Sequence, residues 1–455
     1  MTNKTLSRRD FLGTSAKLSA LTTLASLGLL RATDALAATA PTDFKAIVCV
    51  FMFGGNDGLN TIVPLDAQRY PKYLAARGTI ALRLAEGTML PARNAMTRGV
   101  DVSENQSFGI HAQMPEIDAL FGQGKVAAVL NVGNLSRPLS KADAVAGIGL
   151  PTQLFSHPDQ TIQNQAGSPS GAGTDWGGRL MDQFTGLGDV PSISFTGGIW
   201  GNGVSCAMDL ISDSGLLEVA GGFYPPDASE ARRAALLKVI AKTENNVLQT
   251  AANVQLQKGI ALSGKLAAAA AGSPLSTPFP GNMGGQMAAT VKFLRERKAS
   301  GSKREIVFCS ASGFDNHSAH NDQHGFALSQ FSQGVGALYA GLVEAGLADE
   351  VVICSMSEFG RCLQAAGDGT DHGWGSHHLV IGGPVLGGLY GNFPDYTLGG
   401  PDDATGRGAL IPRISNQQFG ATLGKWFGVD ANALQTAVFK DELANFSRQD
   451  LGFMG

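Results

Sequence analysis

The chain has 455 residues, of which 44% are hydrophobic, and its 34 basic and 38 acidic residues give a formal net charge of −4. This composition excludes a disordered body, which needs lower hydrophobicity and a higher net charge. The near-neutral charge, without a basic stripe, argues against nucleic acid as the main partner. Five cysteines exclude a disulfide-dense scaffold.

The first 37 residues are predicted to be an export signal. The string Ser7-Arg8-Arg9-Asp10-Phe11-Leu12 precedes an apolar stretch at 18–30, which is too short to span a bilayer, and Ala35-Leu36-Ala37 has the small-x-small pattern of a cleavage site. Paired arginines before Phe-Leu resemble the twin-arginine signal. An ordinary secretory signal or a retained anchor is the alternative. We therefore expect a periplasmic or secreted protein, with no transmembrane segment in the mature chain.

The predicted elements that follow alternate between apolar strands and helices. Residues 44–53 are apolar throughout, as expected for a strand buried on both faces. Further strands are predicted at 125–132, 191–196, 304–309, 350–355 and 378–381, and helices at 114–121, within 227–271, and at 286–297, 323–345, 415–427 and 431–446. This alternation predicts an α/β fold with a mostly parallel sheet between helices. We expect one domain over 42–455, with 227–300 as a helical insertion.

Three predicted strand ends carry polar residues of the kinds that bind metals. Gly54-Gly55-Asn56-Asp57 follows the first strand, and later strands lead to Asp315 with His317 and to Glu358 with Arg361, followed by Asp371, His372 and His377. Six of the eight histidines fall within 317–378. Aspartate and histidine together are ligands for zinc, manganese or iron, whereas carboxylates alone favour magnesium or calcium. Since ligands of open α/β sheets bind at the carboxyl edge of the strands, a metal site is predicted there.

Each of these residues also has a structural interpretation. Asp57 could cap a turn, Asp315 and His317 could form a loop salt bridge, and Glu358 could pair with Arg361 one turn later on a helix. His377 and His378 are adjacent in a strand, so their side chains point to opposite faces and only one of them can reach a cleft. We favour His377.

Ser156 is the candidate nucleophile. It precedes a polar, helix-like stretch in Phe155-Ser156-His157-Pro158-Asp159-Gln160, and a helix N-terminus favours a bound anion. A plain N-cap is the alternative. The chain has no G-x-S-x-G elbow for an α/β-hydrolase and no G-x-G-x-x-G after the first strand for a dinucleotide fold.

Several motifs together resemble the exported bacterial "domain of unknown function" family numbered 1501. They are GGNDGLNTIVP at 54–64, FSHPDQ at 155–160, DWGGRL at 175–180, GFDNH at 313–317, SEFGR at 357–361, TDHG at 370–373 and LGFM at 451–454. That family looks like a distant branch of the alkaline phosphatase and sulfatase superfamily. The resemblance implies an alkaline-phosphatase-like sandwich with two metal sites at the carboxyl edge of its sheet.

Carried over by position, the resemblance gives each candidate a role. It implies Ser156 as the nucleophile, Arg361 as a catalytic residue that stabilises the equatorial oxygens, and metal ligands from Asp57, Asp315, His317, Glu358, Asp371, His372 and His377. The sequence departs from the superfamily pattern at His317, which lies two rather than four residues after Asp315, and at the strand end that reads Ser-Glu-Phe-Gly-Arg where Asp-His is expected.

The expected function is metal-dependent hydrolysis of a phosphate or sulfate ester through a serine nucleophile. Zinc is the first choice of cofactor, with manganese, magnesium or calcium as alternatives. The expected partner is a small-molecule or polymer-borne ester, and not nucleic acid; the oligomeric state is open. The alternative function is a non-catalytic periplasmic binding or assembly protein on a degenerate phosphatase-like fold.

Overall fold

The computed structural model describes residues 40–98, 104–168, 173–184, 192–196, 200–204, 206, 208–210, 229–242, 246, 249–250, 252–254, 256–257, 260, 272–440 and 442–455. The predicted export signal lies outside these residues, and so does part of the predicted insertion at 227–300. Both stay predictions. None of the helices in the described part of the chain is long and apolar enough to cross a bilayer.

One large sheet forms the centre of the molecule. Its strands are β1 Lys45–Met52, β2 Ile62–Pro64, β3 Arg93–Arg98, β4 Asn105–Ile110, β5 Val126–Gly133, β6 Ser192–Ser194, β7 Asp209–Leu210, β8 Arg304–Ala311, β9 Val351–Met356, β12 Ser376–Gly382, β13 Gly388–Tyr390 and β14 Ile414–Ser415, while β10 Arg361–Ala366 and β11 Gly369–His372 form a separate antiparallel hairpin. The strand order is β2-β4-β3-β13-β5-β12-β9-β1-β8-β6-β7, with β14 beside β5.

The pairing is mostly parallel at the centre of this sheet. Strand β1 lies parallel to both β8 and β9, and β6 continues parallel beside β8. Strand β12 runs antiparallel to β9 and β5, so its first residues lie at the edge where β9 ends. The carboxyl ends of β1, β8 and β9 and the start of β12 therefore meet at one edge.

Helices cover both faces of the sheet. They are α1 Tyr70–Arg77, α2 Pro115–Gly122, α3 Lys141–Ala146, α4 His157–Ala166, α5 Trp176–Met181, α6 Ser229–Ile240, α7 Gly284–Ala299, α8 His320–Glu344, α9 Asn416–Phe427 and α10 Ala431–Ala433. Side chains alternate along β1, so that Val48 and Val50 pack in one core with α7 and α8, and Cys49 and Phe51 in the other with α5 and α9. This arrangement confirms the predicted α/β sandwich with a mostly parallel sheet.

The predicted helix at 431–446 is interrupted. Helix α10 starts at the cap Asp430, continues as a wider turn over Leu434–Val438 and gives way to a separate 3₁₀ turn at Glu442–Asn445. Between them, Lys440 has a φ of 49°, in the left-handed region. A residue in that region cannot continue a right-handed helix, so this backbone position ends the element.

Candidate metal centre

Two parallel strands, the separate hairpin and one helix bring the site residues to the same edge. Asp315 follows β8, Glu358 follows β9, and His372 ends β11 of the hairpin. His157 is the first residue of α4. Helix α4 is fixed against the end of β9, because the Asn164 side-chain amide donates to the Ser357 carbonyl at 2.8 Å. These residues are far apart in sequence. The parallel strands bring Asp315 and Glu358 to one edge, and the hairpin and helix α4 add His372 and His157 there.

His157, Asp315 and His372 form a compact cluster. One ligand atom from each lies within 4.8 Å of the others. His157 Nε2 lies 3.4 Å from Asp315 Oδ2, and His372 Nε2 lies 3.3 Å from Asp315 Oδ1. His317 closes one side, with its Nε2 2.9 Å from Asp315 Oδ1 and 3.1 Å from His372 Nε2.

The rings of His157 and His372 each carry their proton on Nδ1, where it is donated to an acceptor outside the cluster. Nε2 of each ring therefore keeps a lone pair that a metal ion can bind. His157 Nδ1–H donates to Glu358 Oε1 at 2.8 Å, and His372 Nδ1–H donates to the Phe155 carbonyl at 2.8 Å. Such bonds fix the tautomer of a metal-binding histidine. His157 Nε2 is buried and has no hydrogen-bond partner. An unpartnered nitrogen facing a carboxylate and a second imidazole fits a divalent ion of the zinc or manganese type.

Glu358 lies behind His157 as its hydrogen-bond acceptor. The side chain is 2% exposed, and its Oε1 also accepts from the Gly54 N–H at 2.8 Å. Its Oε2 accepts from Ser357 Oγ at 3.1 Å. Glu358 was predicted as a metal ligand, whereas in this arrangement its oxygens are occupied by backbone, hydroxyl and imidazole donors. The alternative, a pairing of Glu358 with Arg361 one turn later on a helix, does not form, since Arg361 begins a strand.

Arg361 ties the loops of this edge together. Its guanidinium donates to the carbonyls of Gly54, Gly55, Phe314 and Thr370 and to Asp315 Oδ1, and its side chain is fully buried. Gly54 has a φ of 119°, and a Cβ there would meet the Asp315 backbone nitrogen at 2.4 Å. The close approach of the first and second strand-end loops therefore requires glycine. Arg361 was predicted to stabilise substrate oxygens, but these bonds occupy it within the protein.

The charges around the cluster shift its pKa values in opposite directions. Burial acts to raise the pKa of Asp315, but the hydrogen bond and charge of Arg361 outweigh it and lower that pKa to about 2. The hydrogen bond to Glu358 raises the pKa of His157. Burial lowers the pKa of His372. Asp315 is thus a carboxylate and His372 a neutral imidazole at neutral pH, which are the forms that bind metal ions.

Asp57 lies in a second, fully buried polar group and not in the cluster. Arg77 binds both of its oxygens, at 2.7 and 2.8 Å, and His320 Nε2 lies 3.0 Å from Oδ2. Burial acts to raise the pKa of Asp57, but the opposing charge of Arg77 lowers it well below its ordinary value. Asp57 was predicted as a metal ligand; here a guanidinium occupies the position that a cation would take.

His377 also lies apart from the cluster. Its Nδ1 accepts a hydrogen bond from the Asn131 N–H at 3.1 Å, so the proton of the neutral ring is on Nε2. A ring in this tautomer has no Nε2 lone pair for a metal ion, which argues against the predicted ligand role. His377 packs against Phe393 and His378 against Phe419, on the two opposite faces of the sheet.

Asp371 and Ser156 are next to the cluster. Asp371 Oδ2 pairs with Arg407 at 2.6 Å, and its Oδ1 lies 3.8 Å from His317 Nδ1. Ser156 immediately precedes His157, and its Oγ donates to Asp159 Oδ2 at 2.5 Å. It occupies the N-cap position of α4, but its side chain does not cap the helix backbone.

His157 is the cluster residue that we did not predict from the sequence. It lies 160 positions before the first of the six grouped histidines, so the clustering in sequence gave no indication of it. Its position directly after Ser156, at the predicted helix start, was the available signal.

Comparisons with known proteins identify the family. No curated protein sequence matches the chain significantly. Solved structures that resemble it include a lipoteichoic acid synthase from Listeria monocytogenes, at 9% identity over 93% of this chain and 81% of that one with a TM-score of 0.35. A sulfatase from Pseudoalteromonas sp. matches at 12% identity over 84% and 68%, with a TM-score of 0.30. A phosphonate monoester hydrolase from Silicibacter pomeroyi matches at 9% identity over 85% and 74%, with a TM-score of 0.31. The model of the family described as "Protein of unknown function (DUF1501)" matches residues 44–443, and the chain belongs to that family.

Proposed function

We propose that this protein is an exported metal-dependent hydrolase of phosphate or sulfate esters. The observation that supports this most is the buried, unpartnered Nε2 of His157, which faces Asp315 and His372. His157, Asp315 and His372 would hold the ion, with His317 at the open side. A bound divalent ion supplies Lewis-acid polarisation of an ester oxygen. Two imidazoles and one carboxylate favour zinc over magnesium or calcium.

Ser156 is the proposed nucleophile. It adjoins His157, and its Oγ–H already donates to the Asp159 carboxylate, which is placed to accept the proton as Oγ attacks. The N-terminus of α4, immediately beside Ser156, favours the negative charge of a sulfuryl or phosphoryl group. Asp159 would thereby act as the base, and His157, the residue that follows Ser156, would be one of the groups that hold the ion.

Asp57 supports a second candidate function. The superfamily that the sequence resembles uses a first-strand aspartate as a metal ligand, whereas here Arg77 binds both oxygens of that residue. A chain that has lost one metal position could serve as a non-catalytic binding or assembly protein in the periplasm.

One experiment separates the two functions. Protein exported natively is analysed for metal by mass spectrometry and then assayed with phosphate monoesters, phosphate diesters and sulfate esters. We expect about one zinc per chain and turnover that Ser156→Ala abolishes while metal content is kept. Ser329→Ala is the control and should keep parent activity, because Ser329 is a half-buried serine on α8 whose Oγ–H donates to the Phe326 carbonyl of the same helix. Bound metal without turnover of any ester would favour the binding function, and absence of metal would contradict the hydrolase.

A further inference from the structure

The arginines beside the cluster differ in how far their guanidinium groups are already occupied. Arg361 is fully buried and bonded to four carbonyls and Asp315, and Arg77 is fully buried and bonded to Asp57. Neither can turn toward a substrate without breaking these buried bonds. Arg407 is different, because its side chain is 51% exposed.

Backbone hydrogen bonds hold the loop that carries Arg407 against strand β10 of the hairpin. The Arg407 carbonyl accepts from the Gln364 N–H at 3.0 Å, and the Gly408 carbonyl accepts from the Leu363 N–H at 2.9 Å. At Gly408, φ is 82° and a Cβ would meet Leu363 Cβ at 2.4 Å, so glycine allows this contact. The buried Asp403 carboxylate accepts from the N–H groups of Thr405 and Gly406. The backbone of Arg407 is therefore fixed beside β10, the partner strand of β11.

Asp371 connects Arg407 to the cluster. It precedes the ligand candidate His372, pairs with Arg407 through Oδ2 and lies 3.8 Å from His317 through Oδ1. Because a guanidinium has five N–H donors, Arg407 can keep this ion pair and still present donors to solvent. A guanidinium binds the oxygens of sulfate or phosphate with two parallel hydrogen bonds.

We infer that Arg407 is the anion-recognising, specificity-determining residue of this site. Its guanidinium binds the oxygens of a tetrahedral oxyanion, which is the sulfuryl or phosphoryl group of the ester, next to His317. This inference rests on the proposed function and names the residue that selects a charged ester over a neutral one. Arg361 has a different part, which is to hold Asp315 and the strand-end loops in place.

The test is equilibrium binding of inorganic phosphate and inorganic sulfate to the zinc-loaded protein, measured by calorimetry. Arg407→Gln should weaken binding of at least one of the two anions about tenfold, the loss of one charge-assisted bidentate contact, with zinc content unchanged. Arg407→Lys should recover part of the affinity, because the charge remains and the planar fork is lost. Arg413→Gln is the matched control: Arg413 is 49% exposed and pairs with Asp402 at 2.7 Å, and its replacement should leave anion binding unchanged.

The outcomes separate this inference from the proposed function. Anion binding that depends on Arg407, without turnover of any ester, would support the inference while the hydrolase assignment fails. Turnover and anion binding that are both unaffected in a folded Arg407→Gln variant would overturn the inference while the hydrolase assignment stands. Parent protein that carries zinc and binds neither anion would overturn the inference as well. Melting temperature checks the fold of each variant.

Discussion

At Glu358, a single buried carboxylate sets the state of a neighbouring ring. Glu358 accepts from the backbone of the first strand-end loop, from Ser357 and from His157 Nδ1. Its charge makes His157 a stronger ligand by holding the proton on Nδ1, and partners of this kind typically change metal affinity 10–100-fold. If Glu358 bound the metal ion directly, its carboxylate would have to lose hydrogen bonds from these three donors.

Glu358→Gln should therefore weaken zinc binding by about 10–100-fold without unfolding the protein. The amide has almost the same shape, but its oxygen carries no charge to polarise His157. His157→Ala, which removes the ring itself, should lose more affinity than Glu358→Gln. Competition with a chromogenic chelator measures both. The control is Glu350→Gln, at a surface carboxylate paired with Lys298. Unchanged zinc affinity in His157→Ala would contradict the proposal that His157 is a metal ligand.

Arg77→Ala should destabilise the fold by about 3–5 kcal/mol, because it leaves the fully buried Asp57 carboxylate without its counter-charge. Urea unfolding, monitored by circular dichroism, measures the loss. Lys425→Ala breaks a solvent-exposed pair with Asp450 and should cost no more than about 1 kcal/mol. If the Arg77 variant keeps parent stability while binding a second zinc ion through Asp57, the buried-pair interpretation is wrong and the predicted ligand role returns.

At the scale of elements, helix α4 holds the segment with the proposed nucleophile, Ser156, against the edge of the sheet. The interface between this helix and the sheet is polar. Its buried residues are mostly amides, Gln160, Gln163, Asn164 and Gln165, in place of the usual apolar stripe. Asn164 reaches the Ser357 carbonyl, and Gln160 pairs with Asn134 at 2.8 Å. These directional bonds determine where His157 lies relative to Asp315.

Asn164→Ala should cost about 1–3 kcal/mol, because the buried Ser357 carbonyl loses its donor. The helix that carries His157 should also be held less firmly, so zinc affinity should fall although Asn164 does not contact the cluster. Ile162→Ser changes the exposed side of the same helix, where the side chain is 48% exposed, and should alter stability by less than about 0.5 kcal/mol. Equal zinc affinity in the Asn164 variant and the parent would show that the hydrogen bond of Asn164 does not position His157 for metal binding.

The sequence predicted the elements whose pattern is strong and the strand-end residues that follow them. The apolar runs of β1, β8 and β9 are buried on both faces, so their composition was enough to identify them as strands of a mostly parallel sheet, although it did not give their order. The short strands β10 and β11 carry mixed residues and have no such pattern. Arg77 could not be assigned to Asp57 from sequence, because the pair joins a helix to a loop through tertiary packing alone. His157 was missed because its contact with Asp315 likewise joins a helix to a loop through tertiary packing, and only its place after Ser156 pointed to it.

At the scale of the whole molecule, the proposed export would depend on residues outside the described part of the chain. If the proposed export holds, replacing Arg8 and Arg9 together by Lys should leave uncleaved precursor in the cytoplasm, because the paired arginines are what this export signal consists of. Cell fractionation followed by immunoblotting measures the distribution. Lys4→Arg, which keeps the charge of the same segment, is the control. Normal export of the double variant would indicate the ordinary secretory route instead.

The whole molecule also encloses several neutral histidines, which makes its stability depend on pH. Burial lowers the pKa of His111 and His377 to about 4 and of His378 to about 3, and it places the pKa of His324 well below its ordinary value. In the unfolded chain each histidine titrates near about 6.5. Below that pH the unfolded state binds protons that the folded state does not, so the stability these histidines give is complete above about 6.5 and is lost as pH falls toward 4.

Two buried acids act in the opposite direction. Burial raises the pKa of Asp175 and of Glu305 to about 7, so both bind protons more tightly in the folded state, and each gains stability as pH falls. The change in the free energy of unfolding with pH is therefore the sum of two opposing contributions, one from the buried histidines and one from these two acids. A single histidine is therefore best isolated by comparing a variant with the parent, in the presence of a chelator that removes any effect of bound metal.

His378→Leu should make the fold less sensitive to acid. With a folded pKa of about 3 against about 6.5 in the unfolded chain, the His378 ring costs the parent about 2 kcal/mol between pH 7.5 and pH 5. The variant should lack that loss, whatever its stability at neutral pH. Phe419→Leu, at the ring against which His378 packs, is the control, since it removes packing without removing a titrating group and should lower stability by the same amount at both pH values. Urea unfolding at the two pH values measures all three proteins, and an unchanged pH difference in His378→Leu would show that this histidine titrates alike in the folded and unfolded chains.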